Sequence, residues 1–219
     1  MQLDFTHTKI GLGRPLSSYS KVQQAIGLAI RNRTTFATLP KHGAYIDVGC
    51  GPNIHNDFYN IDYSWRPGID LCWDITRGLP FAKESIGGIF TEHCVEHIKY
   101  IDFLELACEF YRVLMSGGTV RIIVPDGELY ARHYLQKEPM PYGKDDMISG
   151  IYTRFMSVNR IFYKHGHRFI YDFETLHTIL ARIGFRAIEQ SAFRQGRDPR
   201  LLVDTESRAV ESLYVEATK

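Results

Sequence analysis

The fold is decided by one short stretch of the sequence, Tyr45-Ile46-Asp47-Val48-Gly49-Cys50-Gly51-Pro52-Asn53. Its first half is an apolar run with a single acid, typical of a buried strand, and its second half is a tight turn with two glycines. A second apolar run ends at Asp62 soon afterwards. In a doubly wound sheet, an acid at the end of one strand faces a glycine turn at the end of its neighbour and binds a nucleoside. The stretch therefore predicts a nucleoside site at the carboxyl ends of parallel strands.

The bulk properties describe an ordinary globular protein. The 219 residues are enough for one domain with a large core, so we expect a single domain over residues 1–219. The net charge of +1 gives no general attraction to nucleic acid or to a membrane surface. No segment approaches the roughly 18 apolar residues of a membrane span, and the N-terminus lacks a signal-peptide layout. We expect a cytoplasmic protein without nucleic-acid or membrane partners, whose cysteines (Cys50, Cys72, Cys94 and Cys108) are free thiols.

Strand and helix patterns alternate along most of the chain, which predicts an α/β fold with a doubly wound, mostly parallel, seven-stranded sheet. An amphipathic helix over 18–38 precedes the first strand and either packs on the sheet or covers a site. A later helix begins after Asp172 as N-cap and ends at Gly184. The last two strands follow each other without a helix and predict an antiparallel C-terminal edge hairpin. The predicted strands are Ala44–Val48, Phe58–Ile61, Ile69–Trp73, Ile86–Thr91, Thr119–Val124, Phe185–Ser191 and Ala209–Ala217.

The segment 126–171 has a different character. It is rich in tyrosine and basic residues, and its hydrophobic periodicity is poor. Tyrosines and cations together suit a sugar, an aromatic ring or an anionic group, so this insertion is the predicted substrate-recognition element. A homodimer interface or a solvated cover is the alternative. Three arginines before the last strand either border the same cleft or lie in an exposed loop: Arg194, Arg197 and Arg200.

The turn after the first strand indicates which nucleoside binds. A dinucleotide fingerprint needs a third glycine, where this chain has Ile54, and normally places its acid about 20 residues further on. Asp62 arrives much earlier, and Pro52 removes a backbone donor from the phosphate-binding position. A nucleoside without a pyrophosphate is therefore favoured, and S-adenosyl-L-methionine fits.

Several motifs in the same order resemble those of the class I S-adenosylmethionine-dependent methyltransferases. The similarity is greatest to a small bacterial subgroup with a shortened first crossover, and it extends from about Tyr45 onward. Gly87, Met115-Ser116 and Cys94-Val95 depart from the family pattern without removing a cofactor contact. The motifs are 45–53, 60–62, 73–75, 79–81, 92–98, 111–114 with Gly117-Gly118, and 211–217.

The resemblance implies a role for each matching residue. Asp47, Gly49, Cys50 and Gly51, with Pro52 and Asn53 in the same turn, would surround the methionine part of the cofactor. Asp62 would accept hydrogen bonds from the ribose hydroxyls, since an ionised carboxylate is the natural acceptor for a diol. Asp74 and Ile75 would contact the adenine. Glu92 and His93 would lie beside the sulfonium and the acceptor.

Methyl transfer to a hydroxyl needs a base, and histidine is the usual one near neutral pH. His93 follows the fourth strand at the ligand-binding edge and is the first candidate, and His167 in the insertion is the second. His97 is the third and more plausibly braces the loop with Glu96. The His165/His167 pair has no acid or cysteine beside it in sequence, so no metal is expected.

The sequence therefore predicts S-adenosylmethionine-dependent methyl transfer to oxygen or nitrogen of a small-molecule or glycan-related acceptor. Two alternatives remain open at this point. One is an NAD(P)-dependent reductase, against which the missing glycine and the early acid count. The other is a non-catalytic nucleoside-binding module of the same fold.

Overall fold

A computed structural model describes residues 18–37, 39, 42–143 and 150–219. The N-terminal residues considered for a signal peptide lie outside these ranges, as do the end of the predicted helix 18–38 and residues 144–149 of the insertion. Within the described ranges, no helix is both long enough and apolar enough to cross a membrane.

The described residues form a seven-stranded sheet of order β3-β2-β1-β4-β5-β7-β6. The first five strands are parallel, and β7 runs antiparallel between β5 and β6. This confirms the predicted doubly wound sheet with an antiparallel C-terminal edge. The strands are β1 Ala44–Val48, β2 Tyr59–Asp62, β3 Leu71–Cys72, β4 Ile86–Glu92, β5 Leu114–Pro125, β6 Arg186–Ser191 and β7 Ser212–Thr218.

Six α-helices flank the described part of the sheet. They are α1 Ser18–Ile26, α2 Asn32–Ala37, α3 Tyr100–Val113, α4 Gly127–Gln136, α5 Arg154–Tyr163 and α6 Phe173–Ile183. As predicted, α6 begins after Asp172, whose carboxylate accepts from the Thr175 N–H at 2.9 Å, and ends at Gly184 in the left-handed region. Helices α3 and α6 pack against the larger hydrophobic core.

The N-terminal helical region packs on the β3 edge of the sheet. A π-helical turn, Gly27–Arg31, joins α1 to α2. Asn32 is buried beside β3, where its side chain donates to Cys72 O at 2.9 Å and accepts from the Cys72 N–H at 3.1 Å. Pairing with a strand edge satisfies backbone groups that would otherwise stay open at the end of the sheet.

The insertion contains two helices that its irregular periodicity did not predict, α4 and α5. The Asp126 side chain caps α4 by accepting from the Leu129 N–H at 3.0 Å. The two helices bury a small apolar cluster of their own, made by Tyr130, Met140 and Ile161. Because this cluster lies apart from the main core, each helix has only a few buried positions and its sequence pattern is weak.

Candidate functional site

A cavity of about 580 Å³ opens at the carboxyl ends of β1, β2 and β4. This is the edge at which ligands bind in open α/β sheets. Its walls come from the glycine turn after β1, the ends of β2 and β4, the turn after β3 and the loop after α5. Predicted site residues in these walls are Gly49, Cys50, Gly51, Asp62, Asp74, Ile75, Glu92, His93 and His97.

The glycine turn and Asp62 are joined directly. The Gly51 N–H donates to Oδ2 of Asp62 at 2.9 Å, and the Ser64 N–H donates to Oδ1 at 2.7 Å. Gly49 has φ +78, and a Cβ there would lie 2.1 Å from the Cys94 Sγ. Only glycine fits at that position, because a side chain would be strained and would also collide with the loop after β4. The turn thus holds a carboxylate in a fixed orientation at the cavity wall.

Asp47, Pro52 and Asn53 lie outside the cavity wall as far as the described residues define it. Asp47 is 2% exposed, and its Oδ2 lies 2.9 Å from His55 Nδ1. Burial raises the pKa of Asp47 to about 6, and the hydrogen bond to Asp47 raises the pKa of His55. Asn53 donates to the Thr205 hydroxyl at 3.1 Å. These contacts stabilise the glycine turn without contributing to the cavity wall.

Asp74 organises the turn after β3. Its Oδ1 accepts from the Thr76 N–H at 3.1 Å and from the Thr76 hydroxyl at 2.7 Å, so it caps the short 3-10 turn Ile75–Arg77. The cavity wall at this point is formed by Asp74, Ile75 and the neighbouring Trp73. A flat indole beside an aliphatic side chain and a carboxylate offers both apolar and polar contacts to a planar ring.

Glu92 ends β4 and is held by a segment far along the chain. Its carboxylate accepts from the Thr205 N–H at 2.8 Å and from the Thr205 hydroxyl at 2.6 Å. Arg208 donates to the Glu92 backbone O at 3.1 Å and approaches the carboxylate at 3.4 Å. Arg208 also lines the cavity, whereas Arg194, Arg197 and Arg200 do not contribute to its described wall.

The His93 side chain is 10% exposed, and both of its ring nitrogens lie near partners. Nε2 lies 2.8 Å from the Ser212 hydroxyl, which itself donates to Arg208 O at 2.7 Å. Nε2 is therefore the donor to Ser212, and Nδ1 keeps the lone pair. Burial, reinforced by the positive field of Arg208, lowers the pKa of His93 to about 2. The ring is neutral at physiological pH and is a weak proton acceptor.

His97 and His167 lie close together, with ring centroids 5.0 Å apart. His97 lines the cavity and its side chain is 38% exposed, while Glu96 beside it is completely buried. Burial lowers the pKa of His97 to about 4, and it also lowers the pKa of His167. The structure thus brings the three candidate bases to one region, and it places Glu96 between them.

Sequence reasoning missed the contribution of the segment 205–212. Thr205, Arg208 and Ser212 hold Glu92 and His93, although more than a hundred residues separate the two groups. The sequence around these three residues does not reveal their role, because a hydrogen bond from a threonine or serine to a distant strand produces no periodic sequence pattern. The nearby Arg197 instead pairs with Glu189, and Arg200 lies over the Tyr45 ring.

Comparison with known proteins identifies the fold. No family model and no curated protein matches the chain. Among solved structures, a SAM-dependent methyltransferase from Archaeoglobus fulgidus matches with a TM-score of 0.51 and 15% identity, covering 91% of this chain and 94% of that one. Phosphoethanolamine N-methyltransferase 2 from Haemonchus contortus matches with a TM-score of 0.50 and 16% identity over 89% of this chain.

The chain spans 52% of the Haemonchus contortus protein, so it corresponds to about half of that molecule. At these identities the comparisons show the fold. The described sheet with its flanking helices has the class I S-adenosylmethionine-dependent methyltransferase fold.

Proposed function

We propose that the protein is a methyltransferase that uses S-adenosyl-L-methionine to methylate oxygen or nitrogen of a small-molecule or glycan-related acceptor. The observation that carries this proposal is the Asp62 carboxylate, which the glycine turn orients beside an open cavity. A short turn with two glycines and no following helix suits a nucleoside that has no pyrophosphate.

In this proposal the cofactor lies along the ends of β1, β2 and β4. Asp62 accepts from the ribose hydroxyls, and the turn after β3, with Asp74 and Ile75, contacts the adenine. Gly49, Cys50 and Gly51 border the amino-acid end, and Glu92 and His93 border the sulfonium. Asp47, Pro52 and Asn53 position the turn without touching the cofactor, because Asp47 is buried against His55.

The reaction is an in-line displacement. The acceptor atom forms a bond to the methyl carbon, the carbon–sulfur bond breaks, and S-adenosylhomocysteine leaves while the acceptor loses a proton. The cofactor supplies the activated carbon, and the protein supplies orientation. His93 and His97 have low pKa values, about 2 and about 4, and are therefore weak general bases. This favours a nitrogen acceptor that arrives neutral, because it needs no base before attack.

The loop after α5 forms the acceptor side of the cavity in this proposal. His165, Gly166 and Arg168 line the cavity and belong to the predicted substrate-recognition insertion 126–171. A small acceptor with an anionic group would be matched by Arg168 and Arg208.

Calorimetric titration with S-adenosylhomocysteine, S-adenosylmethionine, NAD and NADPH tests the cofactor. We expect binding of the first two and none of the nicotinamide cofactors; the reverse pattern would overturn the proposal in favour of a reductase. A panel of amines, phenols and sugars with methyl-labelled cofactor then tests the activity. Cofactor binding without transfer to any acceptor would support the non-catalytic module instead.

A further inference from the structure

Glu96 is an unusual carboxylate for a protein interior. It is completely buried, and neither of its side-chain oxygens has a hydrogen-bond partner within the described part of the chain. An ionised carboxylate in such a place is expensive unless it is paired or bound to a metal.

Two histidine side chains lie close to this carboxylate and complete a group of three possible metal ligands. Glu96, His97 and His167 each offer one donor atom, and these atoms lie within 4.8 Å of one another. Glu96 Oε1 is 3.7 Å from His97 Nε2, near the separation that two ligands have when they share one metal ion. On its other side, Oε1 is 3.6 Å from His93 Nδ1.

The backbone holds the two contributing segments together. Glu96 and His97 lie on the 3-10 turn Val95–His97 after β4, and His167 follows the turn Lys164–Gly166. The N–H groups of Arg168 and Phe169 both donate to the backbone O of Glu96, at 2.6 and 3.3 Å. The insertion is thus tied to the sheet at the point where the three side chains meet.

His167 also has the partner that a metal-bound imidazole usually has. Its Nδ1 lies 2.5 Å from Ile161 O, so Nδ1 donates and leaves the lone pair on Nε2. Such a second partner fixes the tautomer and orients the ring toward a metal.

From this geometry we propose that Glu96, His97 and His167 form a binding site for one divalent transition-metal ion of the zinc type at the edge of the cavity. Two imidazoles and one carboxylate suit Zn²⁺ or Fe²⁺ and do not suit Mg²⁺, which prefers oxygen ligands. Three protein ligands leave a coordination position open, and His97 places the site at the cavity wall. The proposed site differs from the sequence-based expectation of no metal, because the acid missing beside His167 in sequence would be supplied by Glu96.

Metal binding to the tag-free whole chain tests this proposal. After chelator treatment and dialysis, Zn²⁺ is titrated in competition with a chromophoric chelator, and Co²⁺ is titrated with its visible spectrum as a reporter of coordination. We expect one Zn²⁺ per chain, no displacement by millimolar Mg²⁺, and affinity about 100-fold or more weaker in Glu96→Gln and His167→Asn. His177→Asn, which removes an exposed histidine from α6, should bind like the wild type.

Absence of stoichiometric Zn²⁺ binding by the wild type would overturn the proposal, and so would unchanged affinity in both ligand variants. Glu96→Gln is nearly isosteric and removes a buried ionisable group, so its circular dichroism should match the wild type even if His167→Asn is destabilised. None of these outcomes depends on whether the cavity binds S-adenosylmethionine. A histidine that binds a metal through one nitrogen cannot take a proton there, so a positive result would also remove His97 and His167 as bases.

Discussion

The backbone N–H of Gly51 donates to the carboxylate of Asp62 over 2.9 Å, and this bond joins the turn after β1 to the end of β2. The carboxylate is therefore positioned before any ligand arrives. Because the second oxygen accepts from the Ser64 N–H at 2.7 Å, the side chain has little freedom to rotate away from the cavity. Preorganisation of this kind lowers the entropy that binding would otherwise have to overcome.

Replacing Asp62 by alanine should weaken S-adenosylhomocysteine binding by about 1–3 kcal/mol, or roughly 5- to 150-fold in Kd. The loss has two sources, the missing acceptor for the ribose diol and the two backbone donors left without a partner. Calorimetric titration measures it. Asp57→Ala, at an exposed position in the same connection, should bind as the wild type does. An unchanged Kd in Asp62→Ala would remove Asp62 from the ribose site.

Replacing Gly49 or Gly51 of the turn by alanine should have different effects on stability and ligand binding. Gly49→Ala places a Cβ 2.1 Å from the Cys94 Sγ at φ +78, and we expect a loss of roughly 3 kcal/mol or more in unfolding free energy. Gly51→Ala has open space at φ +58 and should lose only about 1 kcal/mol, although it narrows the cavity and weakens ligand binding.

Gly43→Ala is the matched control for backbone strain, because Gly43 also has a positive φ and open space but lies before β1. It should lose stability as Gly51→Ala does, and ligand affinity should not change. Urea unfolding and ligand titration separate the two effects. Equal stability of Gly49→Ala and Gly51→Ala would contradict the described packing of the turn against Cys94.

Replacing His93 by asparagine should lower kcat about 10- to 100-fold and leave the Kd of S-adenosylhomocysteine within about threefold of the wild type. The expected defect is one of positioning, because the Nε2 bond to Ser212 orients the loop after β4. Since the pKa of His93 is about 2, its removal should not shift the pH dependence of kcat between pH 5 and 9. Loss of an ionisation near neutral pH in this variant would show instead that His93 is the base.

The buried acid Glu96 should make stability depend on pH in the metal-free protein. The pKa of Glu96 is about 8 in the folded protein, against an ordinary 4.5 in the unfolded chain. The folded state therefore binds the Glu96 proton more tightly than the unfolded chain does. The contribution of Glu96 to the free energy of unfolding is thus fully favourable below about pH 4.5 and is lost as the pH rises through 8. Relative to Glu96→Gln, the wild type should lose on the order of 4 kcal/mol between pH 5 and 8.5.

Urea unfolding in the presence of chelator, at several pH values, measures this difference. The comparison with the glutamine variant cancels most of the opposite effect of the buried histidines, which destabilise the folded state as pH falls below 6.5. Glu105→Gln, exposed on α3, should follow the wild-type curve. Parallel curves for the wild type and Glu96→Gln would show that the carboxyl does not titrate in this range.

Arg121 is a buried charge whose contribution to stability can be tested. It is fully buried in β5 and donates to both oxygens of Asp204 and, at 2.7 Å, to Glu216. Arg121→Met should destabilise the protein by about 3–5 kcal/mol, because two carboxylates lose their counter-charge inside the protein. Arg186→Met, at an exposed position, should change stability by less than about 0.5 kcal/mol. Similar values for the two variants would contradict the described network.

The sheet could be predicted from the sequence because its signals are local. The signals for the strand before Gly49 and for the helix cap at Asp172 each lie in a few adjacent residues, and a mostly parallel sheet follows from the alternation of strands and helices. The observed strand bounds differ from the predicted ones by a few residues where strands meet turns. For example, β7 begins at Ser212 and not at Ala209. The two helices of the insertion were not predicted from the sequence, because each buries only a few residues.

In the candidate site, too, the features with local sequence signals were predictable and those that depend on tertiary contacts were not. Asp62 and the glycine turn could be placed from spacing alone, since both lie at strand ends. The partners of Glu92 and Glu96 could not, because Thr205 and His167 reach them through the tertiary fold and no short-range pattern records that approach. Sequence reasoning also took His93 as the first candidate base, whereas burial lowers its pKa and its ring is hydrogen-bonded to Ser212.

The dependence of Glu92 and His93 on the segment 205–212 has a consequence for biosynthesis. A nascent chain that has emerged from the ribosome through β5 already contains the glycine turn and Asp62, but it lacks Thr205, Arg208 and Ser212. The side of the cavity around Asp62 can therefore form during translation, whereas the side around Glu92 and His93 must wait for β7 to insert between β5 and β6. Contacts of such high sequence separation form late and slowly, so a folding intermediate would have the Asp62 side of the cavity in place before the side at Glu92 and His93.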